Sequence, residues 1–190
     1  MSMKHIICWK KMPSGWCLGV LLLMLAAPGF PARADDRQYK VEAAFLYNFF
    51  NYIVWPGYHT SDEMKQATIC TDSADPVASY LDYIARTRRQ ERALTVRPWS
   101  IDGDVEGCQL IYVRNLNDSA LHRLQPLTSG KGVLLVSSTP HFIENGGMVQ
   151  LQKSEEEDGG HVLIEINNTA LKAANFQVSS RLLSLAAQVL

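Results

Sequence analysis

The hydrophobic and polar positions divide the chain into an apolar leader, a long amphipathic segment, and a series of short apolar runs alternating with capped helical stretches. Residues 18–27 (LGVLLLMLAA) are unbroken apolar sequence. From Asp36 to Val54 the apolar positions Val41, Ala44, Phe45, Phe49, Tyr52 and Ile53 recur at spacings of three and four, which predicts a helix. Leu46, Phe50 and Val54 widen that face beyond one stripe, so cover on two sides is expected. Trp55-Pro56-Gly57 ends it. Strands are predicted at residues 67–71 (ATICT), 93–99 (ALTVRPW), 108–113 (CQLIYV), 132–137 (GVLLVS), 148–152 and 161–167 (HVLIEIN). The run at 132–137 is almost wholly apolar and is expected at the sheet centre. Pro98 marks the end of its strand or an edge position.

Between the strands lie helix signals. Asp75-Pro76 reads as an N-cap with proline at the first helical position, opening a helix to about Arg86. Asn117-Asp118 caps another to about Leu127. A short helix is expected at residues 139–144, ended by Asn145-Gly146-Gly147. Asn168 or Thr169 caps one more to about Ala174, and Ser179-Ser180 starts a last helix running to Leu190. Alternating strand and helix predicts a mainly parallel sheet with helices on both faces. The polar loop SEEEDGG between the last two strands adds an antiparallel hairpin. The predicted fold class is α/β, one three-layer α/β/α domain with a C-terminal antiparallel hairpin.

The leader changes how the rest is read. Lys4, Lys10 and Lys11 precede the apolar core, Pro28, Gly29 and Pro31 follow it, and Ala32-Arg33-Ala34 offers small residues for a signal peptidase. A ten-residue core is about half of what a spanning helix needs. Residues 1–34 are therefore expected to be a cleaved secretory signal peptide, and residues 35–190 the exported domain. The leader carries four basic residues and no acidic one, so 14 Lys+Arg face 19 Asp+Glu afterwards, a net charge near −5. That balance disfavours nucleic acid as a partner. The cluster Arg86, Arg88, Arg89, Arg92 and Arg97 runs against the trend and is expected on a solvated loop, with an anionic ligand or partner as the alternative.

Export also removes Cys8 and Cys17 and leaves Cys70 and Cys108. In an oxidising compartment an isolated pair is most simply one disulfide. The competing readings are a metal site, for which neither cysteine has a His or Cys close by in sequence, and a redox pair, for which the C-x-x-C spacing is missing.

Catalytic motifs are missing from the sequence. It holds no G-x-S-x-G elbow, Gly130-Lys131-Gly132 does not complete a phosphate loop, and no G-x-G-x-x-G follows the first strand. His59, His122, His141 and His161 are scattered, and Glu155-Glu156-Glu157-Asp158 lacks the alternation of a calcium loop. No catalytic residue, metal site or cofactor is expected. Asp72 and Asp75 follow the first strand, where α/β folds place ligands; a helix cap and a turn are the plainer roles. Three polar residues interrupt apolar runs: Asn48, Glu165 and Arg181. Strand alternation puts Val162, Ile164 and Ile166 on one face and Glu165 on the other, where the last helix would bring Arg181 to it as a buried partner. A ligand or partner contact is the alternative.

Three blocks carry a resemblance: EAAFLYNFFNYIVWP (residues 42–56), FIENGGMVQL (142–151) and HVLIEINNTALKAANFQVSSRLLSLAAQV (161–189). Their residues, order and spacing resemble the YfiR-like family over essentially the whole exported domain. Cys70 and Cys108 are similar to that family's disulfide positions; the second cysteine pair of some relatives is missing here. The resemblance implies a periplasmic repressor of a membrane diguanylate cyclase (YfiN-like). It would bind the cyclase's periplasmic domain and lower cyclic di-GMP output. An OmpA-like outer-membrane lipoprotein (YfiB-like) would sequester it, and a homodimer is implied. The alternative is a periplasmic small-molecule-binding module that acts on another membrane sensor protein.

Overall fold

In the computed structural model, which describes residues 32–154 and 161–190, the amphipathic segment forms helix α1, Ala32–Tyr52. The leader core and the acidic hairpin tip, Glu155 to Asp158, lie outside the described residues. Helix α1 buries Ala43, Leu46, Tyr47, Phe49 and Phe50 against a sheet. It stops because the chain then pairs as strand: β1, Ile53–Val54, runs antiparallel to β8, Gln177–Val178. Trp55 secures this corner. Its ring stacks on Phe50 at 4.6 Å, meets Phe176 edge-on at 5.6 Å, and its indole N–H donates to the Gln109 carbonyl at 3.0 Å.

The main sheet has seven strands, in the order β3-β2-β4-β5-β6-β7-β9. These are β2 (Gln66–Thr71), β3 (Ala93–Pro98), β4 (Leu110–Val113), β5 (Leu134–Ser137), β6 (Val149–Lys153), β7 (Val162–Ile166) and β9 (Gln188–Val189). The first five in that order are mutually parallel, β6 and β7 are antiparallel, and β9 runs parallel to β7. Strand β5 sits in the middle with all four residues buried, as its composition predicts. Pro98 ends β3 at the sheet edge, where a missing N–H is harmless.

Helix α2 (Pro76–Thr87) has Asp75 as its N-cap, the carboxylate accepting from Val77 N at 2.9 Å. Helix α3 (Asp118–Thr128) has Asn117, accepting from Ala120 N at 2.8 Å. The short helices α4 (Asn168–Ala173) and α5 (Ser180–Leu185) are capped by Asn167 and Ser179. Two apolar cores lie on opposite faces of the sheet. The larger joins α1, α2, Leu171 of α4 and Leu182 of α5 to Ile69, Leu110, Tyr112, Leu134, Val136 and Ile164. The smaller joins α3 to Cys70, Ile111, Leu135, Phe142 and the loop residues Trp99 and Val105. The structure is thus mixed α/β, a mostly parallel sheet flanked by helices, with an antiparallel part.

Two element predictions are corrected. Residues 139–144 form turns instead of a helix. His141 has φ +59°, and the buried Gln150 side chain accepts from Phe142 N at 2.6 Å, which holds the segment open. The last helix ends at Leu185 because the following residues are worth more to the sheet edge: Ala187 N donates to Ile164 O and Leu190 N to Ile166 O.

The link from β3 to β4 is unusual for a parallel crossover, because it contains no helix. Residues 99–109 cross the second face, with Trp99 and Val105 buried. The Cys70–Cys108 disulfide pins this link, with a Cα–Cα distance of 5.8 Å across 38 residues. Sequence places both cysteines on strands, which for neighbouring parallel strands demands an offset. The structure supplies it differently: Cys108 lies in the turn before β4, its N–H bonded to Val105 O, and Gly107 takes φ +76°. Replacing both cysteines by alanine is expected to remove about 4 kcal/mol of unfolding free energy, from loop-closure entropy. Denaturant midpoints compared at constant m test this; a loss below about 1 kcal/mol would mean that packing alone holds the crossover.

Candidate functional site

The sheet's strand order reverses at β2, whose neighbours β3 and β4 lie on opposite sides. In open α/β sheets the crevice beyond the carboxyl ends of such strands is where ligands bind. Here the crevice is built around Arg114, the residue after β4. Its Nη2 donates to Glu42 Oε2 at 2.7 Å and Asp75 Oδ1 at 2.9 Å, its Nε to Asp75 Oδ2 at 2.9 Å, and its Nη1 to Glu42 Oε1 at 3.3 Å. The guanidinium lies 4.7 Å from the Tyr39 ring and 5.5 Å from the Tyr112 ring. Tyr112 OH donates to Glu42 Oε2 at 3.1 Å and meets Ser138 Oγ at 2.8 Å.

Glu42 is fully buried on α1, and four donors satisfy its carboxyl oxygens: two from Arg114, one from Tyr112 and one from Gln38 Nε2 at 2.8 Å. Burial works against the Arg114 charge, but the hydrogen bonds to Asp75 and Glu42 outweigh it and raise its pKa. Burial and the Glu42 charge push the Tyr112 phenol up, so it serves as a neutral donor.

Beside this node opens a cleft of about 460 Å³, lined among others by Thr71, Asp72, Asp75, Trp99, Ile101 and Arg114. Asp72 is exposed; one of its oxygens accepts from Ala74 N at 2.8 Å and makes a turn. Thr71 ends β2, is 1% exposed, and no described residue hydrogen-bonds its hydroxyl. Such a buried unpaired group costs about 1–3 kcal/mol.

The other candidate residues are dispersed. Asn48 lines a second groove of about 710 Å³ between α1 and α2, with Tyr47, Tyr80, Tyr83, Lys40 and Arg88 around it. The structure does not join Glu165 to Arg181. The shortened last helix keeps Arg181 exposed, its guanidinium 5.8 Å from the Tyr52 ring. Glu165 is half-buried, and its neighbours are Glu144 and His141. Burial and then Glu144 push its carboxyl up, with His141 opposing. The expected solvated arginine cluster also divides. Arg92 is buried and donates to Met64 O at 2.7 Å, Asn51 Oδ1 at 2.8 Å and Ser61 O at 2.9 Å. Arg97 reaches across the disulfide, its Nη2 lying 2.7 Å from Cys108 Sγ and its Nε 3.2 Å from Cys70 Sγ. Arg86 and Arg88 line the α1–α2 groove. Glu42 and Arg114 are missing from the sequence candidates. A charged residue on the apolar face of α1 and another directly after an apolar strand were the available signals.

Among the described residues no group of three or more His, Cys, Asp or Glu has metal-site geometry. Nor, among them, is any helix long and apolar enough to cross a membrane.

Replacing Arg114 with methionine strands two carboxylates and is expected to destabilise the protein by about 3–5 kcal/mol. Combining it with Glu42→Gln is expected to recover part of that loss; chemical denaturation of the two variants tests this pair. The raised Glu165 pKa means that the folded state holds this proton more tightly than the unfolded chain. Its contribution is present below the ordinary value of 4.5 and lost as pH rises through the folded value. Glu165→Gln is therefore expected to raise the melting temperature at neutral pH, with the gap closing below 4.5. A gap independent of pH would contradict this.

Among curated proteins, none matches the chain. Solved structures match at the level of fold. A Streptococcus pneumonia ABC domain, determined in complex with L-Trp, is 9% identical with TM-score 0.53; the match covers 80% of this chain and 60% of that one. A conserved domain protein from Vibrio cholerae is 10% identical over the same shares, with TM-score 0.49. The YfiR/HmsC-like family model matches residues 39–187. The chain belongs to the YfiR/HmsC-like family, whose members are periplasmic regulators of cyclic di-GMP signalling.

Proposed function

We propose that this chain represses an inner-membrane diguanylate cyclase (YfiN-like) by binding the cyclase's periplasmic domain. The family match over residues 39–187 carries this reading. Residues 1–34 act as a cleaved export signal, which puts the domain where it can reach the outward-facing part of the cyclase. An OmpA-like outer-membrane lipoprotein (YfiB-like) competes for the protein and relieves repression, and the working form is a homodimer.

The mechanism is differential affinity. The protein binds the inactive arrangement of the cyclase more tightly than the active one, and the ratio of the two affinities sets how far the equilibrium moves. No turnover is required. Asn48 and Arg181 are the contact residues we assign. Both lie on the α1 side: Asn48 on α1 in its groove with α2, Arg181 beside Tyr52 at the end of α1. Aromatic and arginine side chains around them are the composition that interface centres favour.

Deleting the gene is expected to raise cellular cyclic di-GMP, and the purified protein is expected to bind the periplasmic domain of a cyclase encoded beside it. Asn48→Ala and Arg181→Ala are expected to weaken that binding without lowering the melting temperature. Unchanged cyclic di-GMP in the deletion, or no measurable affinity for the cyclase domain, would overturn the assignment.

A further inference from the structure

We infer that the groove between α1 and α2 seats an acidic amphipathic helix of the protein's partner. This rests on the partner-binding role proposed above and assigns the chemistry of the segment bound there.

The groove is where the surface charge changes sign. Residues 35–190 carry 14 Lys+Arg against 19 Asp+Glu, yet the charged residues lining the groove are Lys40, Arg86 and Arg88, with no carboxylate among the described lining residues. Two carboxylates stand at its ends. Asp36 pairs with Lys40 at 2.6 Å and Glu91 with Arg88 at 3.2 Å, and all four side chains are about half exposed. Such surface pairs hold weakly and exchange partners readily. Arg86 is exposed and has no ion pair among the described residues. An acidic segment therefore meets a local positive field on an otherwise acidic domain. The surface between these charges is apolar. Tyr47 is buried in the large core, Tyr80 and Ile84 pack against it, and Tyr83 projects beside them, 62% exposed. Tyrosine with arginine at its flank is the composition of interface centres.

The geometry selects a helix. Lys40 Nζ lies 5.5 Å from the Tyr80 ring and the Arg88 guanidinium 5.9 Å from the Tyr47 ring, so α1 and α2 run in the same direction, with one cationic end at Lys40 and the other at Arg86 and Arg88. The lining runs from Lys40 to Asn48 on α1 and from Ser79 to Thr87 on α2, a little over two turns of each, or about 12 Å. Both walls are helices whose backbones are bonded internally, so an extended peptide finds no strand edge and would leave its own N–H and C=O groups to side chains. A helix arrives with its backbone satisfied. Two turns of it, with carboxylates about seven residues apart and two apolar side chains between them, put an acid at each cationic end and the apolar pair over Tyr83 and Ile84.

The test uses protein recovered from the periplasm and two helical peptides that differ only in sign: one face reads Glu-x-x-Leu-Leu-x-x-Glu, or carries lysine at both glutamate positions. Binding is followed by amide NMR shifts at low salt. The acidic peptide is expected to shift the Ala44, Asn48, Tyr83 and Arg86 amides in a saturating way, to bind about tenfold tighter than the lysine peptide, and to weaken as salt is added. Arg86→Glu is expected to reverse the preference, and Tyr83→Ser to weaken the acidic peptide about tenfold, the scale of one interface anchor. Both side chains are exposed, so the melting temperature is expected to hold. The same variants are then measured against the periplasmic domain of a cyclase encoded beside the chain. Weaker binding by both supports the inference. Unchanged affinity overturns it and leaves the cyclase reading intact. No affinity of the unaltered protein for that domain, with the peptide preference retained, overturns the cyclase reading and leaves the groove's preference intact. Equal binding of the two peptides, absence of shifts in the groove, binding to phosphatidylglycerol vesicles in place of the acidic peptide, or a dimer that Arg86→Glu turns into monomer would each overturn the inference; the last would make a second copy the occupant.

Discussion

The ion pairs around Arg114 hold together parts of the chain that the backbone ladder does not connect. Glu42 comes from the first helix, Asp75 from the cap of the second, and Arg114 from the end of an inner strand. Helices packed on a sheet by apolar contact alone can slide. A guanidinium shared by two carboxylates sets their position by direction as well as distance. The desolvation of three charges is offset only if all three are present and fully hydrogen-bonded, so the node ties the register of α1 to that of α2. Asp75 does this while capping its own helix, so one carboxylate serves both the local and the tertiary structure.

A second constraint comes from the missing crossover helix. In a parallel sheet the return path normally brings its own hydrogen bonds. The eleven residues between β3 and β4 bring few, and side chains supply the rest: the disulfide, Arg97 over its sulfurs, and the Trp99 indole bonded to Asp104 O at 3.1 Å. The arginines that sequence groups together therefore have separate tasks. Arg92 satisfies loop carbonyls under the first face, Arg97 stiffens the crossover on the second, and Arg86 and Arg88 line the α1–α2 groove, Arg88 paired with Glu91 and lying over the Tyr47 ring.

Most of the fold could be read from local sequence because its signals are local. Asp75-Pro76 and Asn117 sit where caps must sit, and the apolar run at 132–137 is indeed the middle strand. The final residues mislead because LLSLAAQVL suits a helix. Only the open edge of β7, which no local window contains, turns its end into a strand. The node was hidden for the same reason. Glu42 and Arg114 are 72 residues apart and meet through sheet topology. Arg181 and Glu165 fail to meet because their predicted contact relied on a helix that stops early. The family's role was carried by motif blocks, and nothing in the chemistry of any one residue announces it.

The sheet separates two cores whose buried side chains are distinct, with Met148 packed against both. The large one carries α1, α2 and the groove at Asn48; the small one carries α3, the crossover and the disulfide. A disturbance on the crossover side can reach the groove side through the backbone of β2 and β4, through Met148, through the Trp55 bond to Gln109 O, or around the strand ends where Arg114 stands. The molecule is therefore wired in a particular way. The disulfide face and the groove face have largely separate side chains, and the carboxyl ends of the two switch-point strands are the junction where charged groups from both helices of the groove meet the end of a strand.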